Sequence, residues 1–354
     1  MSKIIIFSSD FRFTNVQSFL LPFLKYKNFF YDNNIKFEFN DLNISKIGES
    51  EYIFLESKQA VIYSKKKNIS LIDLIKKIKS KSNKLIFFDT SDSTEVELPE
   101  ILPYVHKYCK AQILKNTKNY KKSYYGGRIF TDFVFKEYNI RDKHPRHSKI
   151  LSQSDLKKLC IFWNSSINNF GFDRIITSLL YRTFKMKFFL KLPSSGFSPE
   201  RSRKNFMSFN FNIKYPRESV AWYRKNILKL LHVESKKKNY LFYFKDLLNT
   251  KYVLSPFGWG EINYRDFEAF LSGSILIKPN MDHLDTWPNF YNRDKFYIDY
   301  KWDCSDLVGK IEDLQKNYKE YIRYADNAQK FYLETINNDN LKYKILERIN
   351  IIMN

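Results

Sequence analysis

The chain has 354 residues, 44% hydrophobic and 18% aromatic, which is too apolar for a disordered protein and long enough for two cores of about 150 to 180 residues each. A net charge of +22 raises nucleic acid as a partner, but the lysines are spread over the whole chain, with runs at 65–67, 76–84, 115–122 and 236–238. Such an excess reads first as a solvated surface, second as a patch for anionic lipid, and only last as a nucleic-acid footprint. The three cysteines (Cys109, Cys160 and Cys304) lie too far apart for a disulfide framework or a CxxC metal pair, and a reducing compartment is expected. The apolar run within Met1 to Phe7 is too short for a signal peptide, and no stretch reaches the roughly 18 apolar residues of a membrane span. The expectation is a cytoplasmic protein, at most peripheral to the inner face of a membrane.

In chain order, Lys3 to Phe7 reads as a buried strand, the polar "SSDFRFT" as a loop and Val16 to Phe30 as a helix. Ile35 to Phe39, Ala60 to Tyr63 and Leu85 to Phe88 read as further strands, with Leu71 to Ile78 helical by spacing. After a polar, basic segment, Leu159 to Trp163 reads as the opening strand of a second series. Phe188 to Leu192, Tyr240 to Phe244, Tyr252 to Leu254 and Ser274 to Ile277 are its other strand candidates, between helices at Ser219 to Leu231 and Asn263 to Leu271. Gln329 to Met353 is helical in pattern and long enough to cross between domains. Strands alternating with helices imply parallel sheets covered on both faces, hence an α/β fold of two Rossmann-like domains facing across a cleft. The expected division is 1–150 for an acceptor-side domain, 151–328 for a nucleotide-binding domain and 329–354 for a terminal helical segment.

The densest chemistry lies in "SPFGWGEINYRDFEAFLSGSILIKP", Ser255 to Pro279. A strand ends in a glycine-flanked turn, Asn263 is a plausible N-cap, and a helix stops at Ser272 and Gly273 before the next strand. Gly258 and Gly260 let backbone pass close to a bulky group, and a helix N-terminus aimed at the same place suits phosphate. A helix beginning near Glu261 would put Glu261, Arg265 and Glu268 on one face, with Phe267, Phe270 and Leu271 toward a core; surface salt bridges are the plain alternative.

The run "RDFEAFLSGSILIKP" resembles the nucleotide-sugar motif of GT-B glycosyltransferases, in the group 1 and exostosin-like branches, over about Ser255 to Trp302. In that family the glutamate grips the ribose and the glycine-rich loop lies by the diphosphate. The resemblance thus implies a ribose role for Glu268 and a loop role for Gly258, Trp259 and Gly260. Many retaining members hold two glutamates eight positions apart; Glu261 and Glu268 are seven apart, so the sugar-contacting part of Glu261 stays open. It also implies transfer from a nucleoside diphosphate sugar to a glycan or lipid-linked acceptor, as in surface polysaccharide synthesis, with no cofactor.

Breaking the bond to a nucleoside diphosphate requires stabilising negative charge on the leaving group. No DxD in a metal-binding context and no histidine pair at i, i+4 is present, so cations are expected to serve in place of a metal: Arg201, Arg203, Lys204, Arg217, Arg224 and Arg265 are the candidates. For a general base, Asp89 and Asp92 follow a strand of the first domain, and Asp10 follows the first strand. His283 is the histidine of most interest among His106, His144, His147 and His232. Two rival functions remain open on sequence grounds: a nucleic-acid-binding protein, and a catalytically silent glycan-binding relative.

Overall fold

A computed structural model describes residues 1–8, 11–40, 44, 50–235, 240–337 and 339–354. The first half runs Ser2–Phe7 (β1), Thr14–Lys25 (α1), Lys27–Asp32 (α2), Ile35–Asn40 (β2), Ser50–Glu56 (β3), Ser57–Lys67 (α3), Leu71–Lys79 (α4), Ser82–Asp89 (β4), Lys107–Lys110 (β5), Gln112–Leu114 (β6), Ile129–Tyr138 (α5), Gln153–Leu156 (α6) and Leu159–Ile161 (β7). The second runs Arg174–Phe184 (α7), Asn205–Ser208 (β8), Glu218–Leu230 (α8), Tyr240–Leu248 (α9), Thr250–Leu254 (β9), Tyr264–Ser272 (α10), Ile275–Pro279 (β10), Leu284–Thr286 (β11), Ile298–Tyr300 (β12), Leu307–Lys316 (α11), Tyr318–Asn337 (α12) and Leu341–Met353 (α13).

Two parallel sheets result, one of six strands in the order β2-β1-β3-β4-β5-β7 and one of four in the order β12-β10-β9-β8. This is the α/β architecture of two Rossmann-like units that the strand and helix alternation implies. The central strands are buried on both faces, as parallel strands covered by helices must be, which is why Ile4 to Phe7 and Leu85 to Phe88 read as unbroken apolar runs. In such sheets the loops at the carboxyl ends of the strands form the binding crevice.

Several elements differ from the sequence reading. Ala60 to Tyr63 lies in α3, because the Glu56 carboxylate accepts from the amides of Lys58 (2.8 Å) and Gln59 (2.9 Å) and starts a helix there; the third strand is Ser50–Glu56. Tyr240 to Phe244 belongs to α9, whose buried Tyr243, Phe244 and Leu247 follow helical spacing. Phe188 to Leu192 forms no strand, only a short 3₁₀ turn at Lys187–Phe189. Val16 to Phe30 breaks into two helices at Tyr26.

Leu159–Ile161, read as the start of the second series, pairs instead with β5 in the first sheet. The units interleave elsewhere too. Phe130 and Val134 of α5 pack in the second core, Phe130 edge-on to Tyr223 and Phe257 at 4.8 Å each. The terminal helices divide: α12 places Tyr332 in the second core, and α13 returns Ile345, Ile349 and Ile352 to the first. A two-stranded antiparallel ribbon joins β6 to β11 across the seam, with Gln112 opposite Thr286.

A buried ion pair anchors the second unit. Lys278 on β10 lies 3.0 Å from Asp266 on α10, both side chains fully buried, and Asp266 also accepts from Ser255 Oγ (2.6 Å), Tyr291 Oη (2.8 Å) and the Asn263 amide (3.1 Å). Burial pulls the Lys278 ammonium below its usual pKa despite Asp266. Removing one partner strands a buried charge. Lys278→Met is therefore expected to lower unfolding free energy by about 3–5 kcal/mol in urea titration; a loss under about 1 kcal/mol would show that the pair is not needed.

Candidate functional site

The C-terminal end of β9 carries the loop 255–263, which leads into the start of α10. The helix begins at Tyr264 rather than near Glu261, with Asn263 as N-cap, and stops at Gly273, whose φ of 69° is the left-handed conformation a glycine cap provides. Glu261 therefore lies outside the helix, away from the face that Arg265 and Glu268 share.

Beside that face is a pocket of about 360 Å³, with Glu268, Arg265, Arg224, Arg174, Tyr240 and Asn263 in its wall. Glu268 is buried, with its Oε1 3.2 Å from Arg174 Nη1. Burial raises its carboxyl above the usual range, opposed by Arg174 and Arg265. Arg174 stacks over the Tyr240 ring at 4.3 Å. Arg265 donates to the Asn210 carbonyl (2.7 Å), and its Nε has no hydrogen-bond partner among the described residues. Arg224 reaches the head of the glycine loop, donating from Nε to Phe257 O (2.9 Å) and from Nη1 to Asn212 O (2.7 Å). Burial brings its guanidinium down to about 10. A Cβ on Gly258 would stand 3.0 Å from Arg224 Nη2, a tight contact that a shift of a few tenths of an ångström in the guanidinium would relieve.

Behind the loop is a second group of cations. Arg217 stacks on Trp259 with its guanidinium carbon 3.2 Å from a ring centroid and donates to Gly126 O (2.6 Å); burial, followed by the neighbouring Arg128 and Arg146, lowers it to about 10. Arg128 is fully buried and donates to Gly258 O (3.2 Å), while its Nε and Nη1 have no hydrogen-bond partner among the described residues. Trp259 is fixed from both sides, its amide donating to Tyr215 Oη (3.0 Å) and its indole to Glu97 (3.2 Å).

The first sheet meets this loop through residues 89–97. Asp89 pairs with Lys110 at 2.7 Å in a buried bridge that Tyr108 Oη also joins (2.7 Å). Burial pushes its carboxyl up, but Lys110 and the hydrogen bonds outweigh this and hold it below the usual range. Glu261 accepts from the Thr94 amide (3.2 Å), Thr94 Oγ1 (3.1 Å) and Gln112 Nε2 (3.0 Å). Gly260 lies so close that a Cβ would fall 1.5 Å from the Asp92 carbonyl oxygen; its neighbour is protein backbone. Asp92 lines a small cavity of about 20 Å³ with Asn15, Thr90, Gln112, Phe162 and Trp163, and its carboxylate accepts from Asn15 Nδ2. Tyr264 Oη donates to Asn15 Oδ1 (2.6 Å), so one residue connects the Asp92 cavity to the wall of the Glu268 pocket.

The remaining expected residues are placed apart. Asp10 lies outside the described residues. Both ring nitrogens of His283 are buried without a hydrogen-bond partner among the described residues, its ring edge-on to Trp302 at 4.9 Å, and burial lowers its pKa. Arg203 sits at the opposite, N-terminal end of the second sheet, where it donates to the carbonyls of Leu247, Leu248, Thr250, Ser198 and Ser272. Arg201 is exposed beside Phe197, and Lys204 is likewise exposed. Arg174 and Arg128 are absent from the sequence candidates. Arg174 meets Glu268 only through the fold, whereas the adjacent Gly126 and Gly127, both at positive φ, are a local sign that the chain turns sharply before Arg128. Among the described residues no group of three His, Cys, Asp or Glu could hold a metal ion.

No protein-family model and no curated protein matches the sequence. Among solved structures, the chain is similar to an alpha-glucosyltransferase in complex with UDP (9% identity, all of both chains, TM-score 0.42). It is similar to HepE of Anabaena in complex with UDP-glucose (9% identity, 99% of this chain and 100% of that one, TM-score 0.45). It is also similar to a glycosyltransferase from Rickettsia africae (9% identity, 99% and 97%, TM-score 0.42).

Burial, the leading influence on Asp92, raises its carboxyl above the ordinary 3.8 against the help of Asn15 and nearby cations. A raised folded-state pKa means the ionised form is disfavoured by folding, so at neutral pH the charge destabilises. Asp92→Asn should raise the melting temperature at pH 7, and the gain should vanish as pH falls below 3.8, where both folded and unfolded carboxyls are protonated. Equal or lower stability of the variant at pH 7 would contradict the burial argument.

Proposed function

We propose that the protein is a glycosyltransferase that moves a sugar from a nucleoside diphosphate donor to a glycan or lipid-linked acceptor, as in surface polysaccharide synthesis. The observation that carries this reading is the buried Glu268 in the wall of a pocket shared with Arg174, Arg224 and Arg265 and with the start of α10. A carboxylate there suits the two hydroxyls of a ribose, and guanidiniums with a helix N-terminus suit a diphosphate. Among the described residues Arg224 and Arg217 make no carboxylate salt bridge and their hydrogen bonds run to main-chain carbonyls; Arg217 feels Glu95 and Asp142 at longer range, whereas Arg224 has no acid among its leading influences, which leaves its positive charge for a ligand.

In the transfer, the bond from the anomeric carbon to the phosphate oxygen breaks and its electron pair leaves with the diphosphate, where Arg224 and Arg265 stabilise the developing charge. The acceptor oxygen forms the new bond and gives up its proton. Asp92 is the base we assign to that proton: its raised pKa improves it as an acceptor, and the Asn15 and Tyr264 bonds tie it to the donor pocket. Gly258, Trp259, Arg217 and Arg265 form the donor side in this reading; Glu261, Gly260 and Arg203 hold the surrounding frame.

Glu268→Ala should weaken binding of uridine or guanosine diphosphate, whichever stabilises the wild type in thermal shift, by about 1.5–3 kcal/mol, the worth of a charged hydrogen bond. Unchanged affinity in a folded variant would remove Glu268 from the donor site. Since arginines carry the leaving-group charge, donor hydrolysis should persist in EDTA. Complete loss, restored only by Mg or Mn, would overturn the assignment of that charge to the protein.

A further inference from the structure

The helix α7 is inverted with respect to water. Its inward face is polar: Thr177 Oγ1 accepts from Asn169 Nδ2 (3.1 Å), Ser178 Oγ accepts from Gln17 Nε2 (2.8 Å), and only Tyr181 adds an aromatic ring to the first core. Its outward face holds Ile175, Ile176 and Leu179, 53% to 58% exposed. These positions fall at i, i+1 and i+4, one stripe of a helix. The exposure continues into the following turn, with Phe184 at 59%, Met186 at 56% and Phe188 at 68%. Scattered apolar residues need no explanation on a protein surface, but a helix that turns both its isoleucines outward while Thr177 and Ser178 face inward does.

Charge identifies the occupant. From Arg174 to Pro199 the sequence contains Arg182, Lys185, Lys187 and Lys191 and no acidic residue. Arg182, Lys185, Lys187 and Lys191 are all exposed around the apolar stripe. A second copy of this chain would bring like charges together on docking, whereas a bilayer with anionic headgroups takes apolar side chains and cations at once. From these observations we infer that α7 and the turn after it dock the protein on an anionic membrane surface, the apolar stripe entering the interface and the basic rim meeting phosphates. The same helix begins with Arg174, which pairs with Glu268, so docking would set the pocket wall one residue from the lipid. That last consequence, a donor pocket held where a lipid-linked acceptor resides, rests on the function proposed above; the docking surface itself does not.

The test is sedimentation of the full chain with vesicles of phosphatidylcholine alone and with added phosphatidylglycerol, at low and high salt, with no nucleotide present. Wild type should pellet with the anionic vesicles and less so at high salt. The double variant Ile176→Asp, Leu179→Asp should lose about tenfold in bound fraction, with an unchanged melting temperature because both side chains are exposed. The inference is overturned if wild type ignores anionic vesicles, if the double variant pellets as well as wild type, or if wild type is a dimer that the variant converts to a monomer. None of these outcomes bears on nucleotide binding, so the docking surface and the donor site fail or stand separately.

Discussion

Glu261 holds the two sheets in register. Its carboxylate accepts three hydrogen bonds, two from Thr94 in the loop after β4 and one from Gln112 at the start of β6, while its own chain emerges from the second sheet. Next to it Gly260 leaves no room for a side chain against Asp92. Pinned this way, the loop 89–97 and the loop 255–263 form one surface, and the β6 to β11 ribbon extends the join with a second set of backbone bonds. The placement of Asp92, Asn15 and Tyr264 relative to the Glu268 pocket follows from that join. A carboxylate is suited to the task because its two oxygens accept several donors at once.

Buried arginines are the other theme. Arg203, Arg217, Arg224 and Arg128 are all buried, and the first three find mostly main-chain carbonyls instead of carboxylates. In those first three the charge is hydrogen-bonded to carbonyls, and desolvation works against the cation. At the N-terminal end of the second sheet, Arg203 uses five carbonyls and is structural. At the C-terminal end, Arg128 and Arg224 meet around Gly258, and among the described residues Arg128 Nε and Nη1 and Arg265 Nε find no hydrogen-bond partner, so positive charge accumulates where parallel sheets bind their ligands. A bound dianion would offset the cost of holding it there.

Much of this was legible locally. The α10 segment announces itself through an asparagine N-cap, apolar spacing and a terminal glycine, and each of these acts over a few residues. What escaped depends on distance. "AVIY" reads as a strand because it is β-branched and short, yet an unusual glutamate cap upstream turns it into a helix. "YLFYF" is aromatic enough for a strand, and only the buried i, i+1, i+4 pattern of Tyr243, Phe244 and Leu247 shows otherwise. The strand Leu159–Ile161 is real, but nothing in its residues says which sheet it joins. Arg174 meets Glu268 from 94 positions away in the chain, a pairing that no local rule contains.

The central claim is that Glu268 and the arginines around Gly258 form a nucleoside diphosphate site. A crystal structure of the protein grown with uridine or guanosine diphosphate addresses this most directly. The account predicts ribose hydroxyls on the Glu268 carboxylate and the diphosphate between Arg224, Arg265 and the amides at the start of α10. A nucleotide bound elsewhere, or bound in this pocket with its ribose turned away from Glu268, would contradict it.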